Sequence, residues 1–168
     1  MKLKTSNKVK EEDDGITHIN VYSKGKTELG RLLSNFANTS ITIGDNYFIS
    51  VESWWYWTKM NNFNSLFKIP RFSKYQADSI KYKVGAKAKS YYRNIIGVDD
   101  SQFNPTKDQL KEVYLLKLEQ NPKVKEMLLE NTLPFAHYYI MKDKRVNADA
   151  SLWTADLWRE IVEEFRVV

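Results

Sequence analysis

With no cysteine anywhere in its 168 residues, this chain is held together by what its side chains bury, and aromatic rings are the side chains it has in excess. Eight Phe, ten Tyr and five Trp make up 14% of the sequence, with Trp54, Trp55 and Trp57 inside one four-residue stretch. Rings bury the largest areas per residue, so most of them must form the core. A minority is left to offer a base-stacking surface. The missing cysteines also exclude disulfides, thiolate zinc sites and a cysteine nucleophile. The two histidines, His18 and His137, are far apart in sequence, and no D-x-D-like cluster follows the first fourteen residues. Neither a metal nor an organic cofactor is therefore expected.

A chain of this length suits one domain with a real core. No apolar run approaches the roughly 18 residues that span a membrane, and nothing apolar follows Met1-Lys2-Leu3-Lys4. The expectation is a cytoplasmic protein that does not enter the membrane. A net charge of +5 suits a polyanionic partner, a nucleic acid or a pyrophosphate.

Residues 1–14 alternate lysines (Lys2, Lys4, Lys8, Lys10) with acids (Glu11, Glu12, Asp13, Asp14) and read as a flexible charged tail before a domain over 15–168. Ile16–Tyr22 alternates like a strand, and Ser40–Ile43 and Tyr47–Val51 flank Gly44-Asp45-Asn46 like a hairpin. Helices are expected over Glu52–Met60, from an N-cap at Ser73 to about Asn94, from Pro105 with Thr106-x-x-Gln109 to about Glu119, over Lys123–Glu130, and from about Thr154. The last has Trp153, Leu157, Ile161 and Phe165 as its apolar face. The fold class is α+β, mostly helical, with a small antiparallel sheet near the N-terminus.

Gly25-Lys26-Thr27 hints at a phosphate loop, but such a loop needs glycine at position 20, which is Asn20, and no helix pattern follows. No G-x-S-x-G or G-x-G-x-x-G element is present. More informative is an ordered series: Ile19-Asn-Val-Tyr-Ser-Lys-Gly-Lys, Leu33-Ser-Asn-Phe36, Gly44, then Val51-Glu52-Ser-Trp-Trp-Tyr-Trp-Thr-Lys59. Val84-Gly85-Ala86-Lys87, Lys117-Leu118, Asn121-Pro122 and Leu133-Pro-Phe-Ala-His137-Tyr138-Tyr139 continue it. Across residues 16–166 this order resembles the NADAR (YbiA-like) family of N-glycosidases, the 133–139 stretch looking like phage-encoded members.

The resemblance implies hydrolysis of the C1′–N bond of a ribosylated or ADP-ribosylated base. Removal of ADP-ribose from guanine in nucleic acid leads, in the setting of phage counter-defence. Two alternatives stay open: a module that binds ADP-ribose or modified nucleic acid without cleaving it, and a hydrolase of N-ribosyl intermediates in riboflavin metabolism. Cleaving this bond builds positive charge on the ribose, which a nearby carboxylate stabilises while it orients or deprotonates water.

Glu52 suits that role, with Tyr56 and Lys59 following at i+4 and i+7 on one helix face. The plain alternative is a helix-opening Glu that favours the dipole by about 0.3–1 kcal/mol. The resemblance further implies that Ser34 and Asn35 donate to phosphate or ribose beside Phe36, and that Gly85 fills a helical glycine position near the ligand. Trp54, Trp55 and Trp57 cannot share a side of one helix, so at least two are core, and Trp55 is assigned to the substrate. His137 and Tyr138 are assigned there too, a structural histidine being the alternative.

The chain departs from the bacterial pattern in three places. The Asp-x-x-Trp-Gly before the last helix is replaced by Lys142-Asp143-Lys144-Arg145 through Asp149, which leaves Asp143 and Asp149 as candidates for the second acid. A histidine after the glutamate is Ser53, and a later Gln is Tyr56. A mid-chain Trp is absent, Phe103 being nearest. The lysine-rich stretch Lys74, Lys81, Lys83, Lys87, Lys89 and Arg93 is either a solvated face or an electrostatic guide for nucleic acid.

Overall fold

The computed structural model describes residues 9–67, 72–96, 101–148 and 153–167. Its elements run β1 (Ile19–Asn20), α1 (Glu28–Leu33), β2 (Ile41–Ile43), β3 (Asn46–Phe48), α2 (Val51–Phe67), α3 (Lys74–Ile80) and α4 (Ala86–Ile96). They continue with α5 (Lys107–Gln120), α6 (Pro122–Glu130), β4 (Phe135–Ala136), β5 (Tyr138–Met141), β6 (Lys144–Asn147) and α7 (Thr154–Val167). The fold is mixed α and β and mostly helical. No helix among the described residues is long and apolar enough to cross a membrane. Two compact units emerge: residues up to Ser34 with Asn121–Val168, and Asn35–Gln120 between them.

The unit Asn35–Gln120 is built on α2, which packs against α3, α4 and β3. Its hairpin forms as expected: β2 and β3 pair antiparallel, Ile41 facing Phe48, and Gly44 takes φ +57° in the turn. Phe48 is buried and meets the ring of Trp57 edge-on at 5.2 Å. α5 starts as the sequence predicts: Thr106 and Gln109 exchange hydrogen bonds in a capping box of 2.9 and 3.2 Å. Ser73 caps α3 in the same way with Gln76. The helix expected from Ser73 to Asn94 is instead broken into α3 and α4. Gly85, at φ +51°, turns the chain between them, and an added Cβ there would stand 3.3 Å from the ring of Phe36.

In the other unit, the strand expected over Ile16–Tyr22 shortens to β1, which pairs parallel with β4 (Ile19 to Phe135, Asn20 to Ala136). α7 packs on β4, burying Leu157, Trp158, Ile161 and Val162. A helix does follow Gly25-Lys26-Thr27: Thr27 caps α1 by accepting from the Gly30 N–H at 3.0 Å. Gly30 is required there, because a Cβ would fall 2.3 Å from the Asn20 carbonyl oxygen. The small sheet is thus three separate ribbons, with β5 and β6 pairing antiparallel near the C-terminal end.

The charged N-terminal stretch is not tail throughout. Glu11–Asp13 form a 3-10 turn, and Asp14 is buried, accepting from the backbone N–H groups of Asn20 at 2.9 Å and Lys26 at 2.7 Å. Two backbone donors in a tight loop need one acceptor, and a carboxylate with two oxygens supplies it.

Candidate active site

The first turn of α2 is fixed from three directions. Ser50 caps it: the Ser53 N–H donates to Ser50 Oγ at 3.2 Å, and Ser53 Oγ donates to the Ser50 carbonyl at 2.7 Å. The N–H of Glu52, one of the four a helix start leaves unsatisfied, donates to the Asn35 carbonyl at 2.9 Å. The side chain of Asn35 is held in turn by the Tyr114 hydroxyl, which donates to its Oδ1 at 2.7 Å. The segment Leu33-Ser-Asn-Phe36 therefore does meet Glu52, but through Asn35 main chain.

Glu52 is only 9% exposed. Burial pushes its carboxyl up to about 7, against the opposing pull of Lys89 and Lys59. A carboxyl titrating there can take or give a proton at neutral pH. Down the same face, Tyr56 lies against Tyr92 of α4 with ring centroids 4.8 Å apart. The ammonium of Lys59, itself buried, sits 5.7 Å from the Tyr56 centroid and 5.1 Å from that of Tyr92. The result is a buried carboxyl, two cations and a pair of rings supplied by two packed helices. Phe36 closes on Gly85 at the start of α4.

Of the three tryptophans, Trp54 and Trp55 are both buried, and Trp55, expected against the substrate, is enclosed to the same degree as Glu52, Tyr56 and Lys59 of the same helix. Trp57 is partly exposed beneath the Lys81 ammonium, 5.5 Å from its ring. Lys117, on the same face of α5 as Tyr114, is fully buried, and burial pushes its ammonium down to about 7.

The remaining expected residues lie in the other unit. Ser34 is buried as the C-cap of α1. His137 Nδ1 must carry a proton, because it stands 2.6 Å from the Val21 carbonyl, which can only accept. Its Nε2 then accepts from the Tyr139 hydroxyl at 3.2 Å, and burial holds the ring below the usual histidine range. Both nitrogens are thus engaged, as in a histidine kept for structure. Tyr138, expected at the substrate, is instead fully buried with its hydroxyl 2.7 Å from His18 Nε2 and the Arg145 guanidinium over its ring at 4.4 Å. Asp143, expected as a second acid, lies in the unit that does not carry Glu52. It is exposed at φ +59° in the β5–β6 turn, where Lys142 is also at positive φ and a short polar residue tolerates that backbone. Asp149 lies outside the described residues.

Lys89, Tyr92 and Tyr114 join the site without having been marked for it by the sequence. Lys89 and Tyr92 stand at i and i+3, so one face of α4 presents both, and that spacing was the available signal. Among the described residues no group of three or more His, Asp or Glu is placed to hold a metal ion. No family model, no curated protein and no solved structure matches this chain.

Proposed function

We propose that this chain is an N-glycosidase that hydrolyses the C1′–N bond of a ribosylated or ADP-ribosylated base, with ADP-ribose on guanine in nucleic acid as the leading substrate. The buried, proton-exchanging carboxyl of Glu52 carries the reading. The C1′–N bond breaks with its electron pair leaving on the base, which takes a proton from solvent. A water oxygen bonds to C1′ and gives its proton to the Glu52 carboxylate. The same carboxylate stabilises the positive charge that develops on the ribose. Lys59 and Lys89 suit the pyrophosphate of ADP-ribose. Asn35 and Tyr114 position the carboxylate.

A second reading, a binding module, is favoured by one observation: among the described residues the charged groups acting on Glu52 are both cations, where ordinary glycosidases use two carboxylates. One experiment separates the two. Release of ADP-ribose from an ADP-ribosylated guanine oligonucleotide is followed by chromatography, with Glu52→Gln beside the wild type. Hydrolysis predicts a loss of kcat of about 10²–10⁴-fold in the variant with binding retained. It also predicts a wild-type kcat/KM that rises with pH and levels above about 7, where the carboxylate is ionised. Full turnover by Glu52→Gln would sink the mechanism; tight binding without turnover by the wild type would establish the module.

A further inference from the structure

Half of the aromatic rings among the described residues are buried, but two are stacked on each other at the surface. Tyr47 of β3 is 42% exposed and Tyr82, in the turn after α3, 63%. Their centroids are 6.1 Å apart with the ring planes 25° from parallel. Alternation along β3 turns Phe48 into the core and Tyr47 outward. The pair is clamped in place from beneath. The Ile49 N–H donates to the Lys81 carbonyl at 2.9 Å, and the Lys81 ammonium donates to Asn46 Oδ1 at 2.8 Å and Asp78 Oδ1 at 2.7 Å. Hairpin and helix turn are thereby tied on both sides of the rings.

Charge is concentrated in the chain segment that carries Tyr82. Residues 72–96 carry six cations (Lys74, Lys81, Lys83, Lys87, Lys89, Arg93) against the single acid Asp78, an excess of five, equal to the net charge of the entire chain. Asp78 is already matched by Lys81. Lys87 is exposed, and Lys83 lies over the ring of Tyr91 at 4.5 Å. Solvent-facing planar rings among cations in excess suit a strand whose bases are free to stack and whose phosphates are negative. A duplex keeps its bases stacked on each other and offers the rings nothing.

We propose that Tyr47 and Tyr82 form a stacking platform for unpaired bases, and that Lys83 and Lys87 contact the flanking phosphates, making this face a binding surface for single-stranded nucleic acid. It goes beyond the reading of Glu52 and does not need it. The chain that carries Tyr82 runs on into α4, whose Lys89 and Tyr92 belong to the site around Glu52 and whose Lys87 is assigned here to a phosphate.

The test is fluorescence anisotropy of labelled oligo-dT and oligo-U of one length, with a duplex of the same length as control. Tyr82→Ala is expected to weaken binding of the single strands about tenfold, and Tyr82→Phe, which keeps the ring, to leave it near wild type. Lys83→Gln with Lys87→Gln is expected to flatten the slope of log Kd against log salt by about 0.7 for each phosphate that is no longer neutralised. Preference for oligo-dT or oligo-U assigns the strand as DNA or RNA. Glu52→Gln should bind like wild type, so loss of catalysis and loss of the platform are read separately. The proposal is overturned by a Tyr82→Ala protein that binds within twofold of wild type, or by a duplex that binds as tightly as the single strands.

Discussion

Asn35 acts on the candidate site through two different oxygens. Its carbonyl takes the Glu52 N–H, while its Oδ1 takes the Tyr114 hydroxyl. The second bond fixes the rotation of the residue that makes the first. Removing the hydroxyl with Tyr114→Phe leaves a partly buried acceptor unsatisfied, at a cost of about 1–3 kcal/mol. If Glu52 works only when held in register, kcat should fall about tenfold with KM little changed, because a small misplacement of a catalytic group lowers rate more than binding. Steady-state kinetics on the variant decide this; an unchanged kcat would show that Asn35 does not position the carboxyl. The place of Glu52 in the first turn of a helix, with Tyr56 and Lys59 along its face, was legible because the pattern lies in one stretch of chain; its proposed role came from the family resemblance. Tyr114 was not, because 79 residues separate it from its partner and no local spacing marks the pair. The surroundings of Tyr138, which the family resemblance assigned to the substrate, were hidden for the same reason: its hydroxyl meets a histidine 120 residues away.

At the scale of elements, periodicity and caps did most of what they can do. The hairpin, the N-cap at Ser73, the capping box at Thr106 and the helix after Pro122 all rest on residues within a few positions of one another. The break between α3 and α4 was missed because Lys, Ala and Tyr on either side favour helix, and one glycine inside such a run is ordinarily tolerated. Gly85 sits there at φ +51° with Phe36 against it, two separate reasons for having no side chain. Gly85→Ala should destabilise the protein by about 1–2 kcal/mol from the backbone alone. Gly85→Asn separates the two causes, since Asn tolerates that backbone better but still carries a Cβ toward Phe36. In denaturant unfolding, an Asn variant as weak as the Ala variant assigns the cost to the Phe36 contact. A clearly milder one assigns it to φ. A wild-type midpoint in both would show that neither constraint matters. The parallel pairing of β1 with β4, over two residues each, lies below what alternation can signal in any sequence.

Across the whole molecule, two buried groups with opposite charge habits set a pH dependence of stability that surface charges do not. Glu52 is raised to about 7 from its ordinary 4.5. Between those values the folded protein holds a proton that the unfolded chain releases, so stability falls as pH rises from about 4.5 to 7. Lys117 is lowered to about 7 from 10.5, so there the unfolded chain holds the extra proton, and stability climbs again from about 7 to 10.5. His18 and His137, both lowered chiefly by burial, oppose the first limb, because stability from them rises with pH up to the ordinary histidine range. A raw profile therefore mixes several groups, and the difference between variant and wild type isolates one. Glu52→Gln cannot ionise, so its stability relative to wild type should grow by about 2.5 kcal/mol between pH 5 and pH 8, most of the roughly 3.4 kcal/mol that corresponds to moving a carboxyl from 4.5 to about 7. Lys117→Met should show a separate window, its advantage over wild type fully present below about pH 7 and lost toward pH 10.5. Urea unfolding at a series of pH values measures both differences. A Glu52→Gln protein that is more stable than wild type at pH 8 yet inactive would mark a carboxylate kept for chemistry at the expense of stability. A difference that stays flat from pH 5 to 8 would mean that Glu52 is as well solvated folded as unfolded, and would remove the basis for its role as a neutral-pH acid and base.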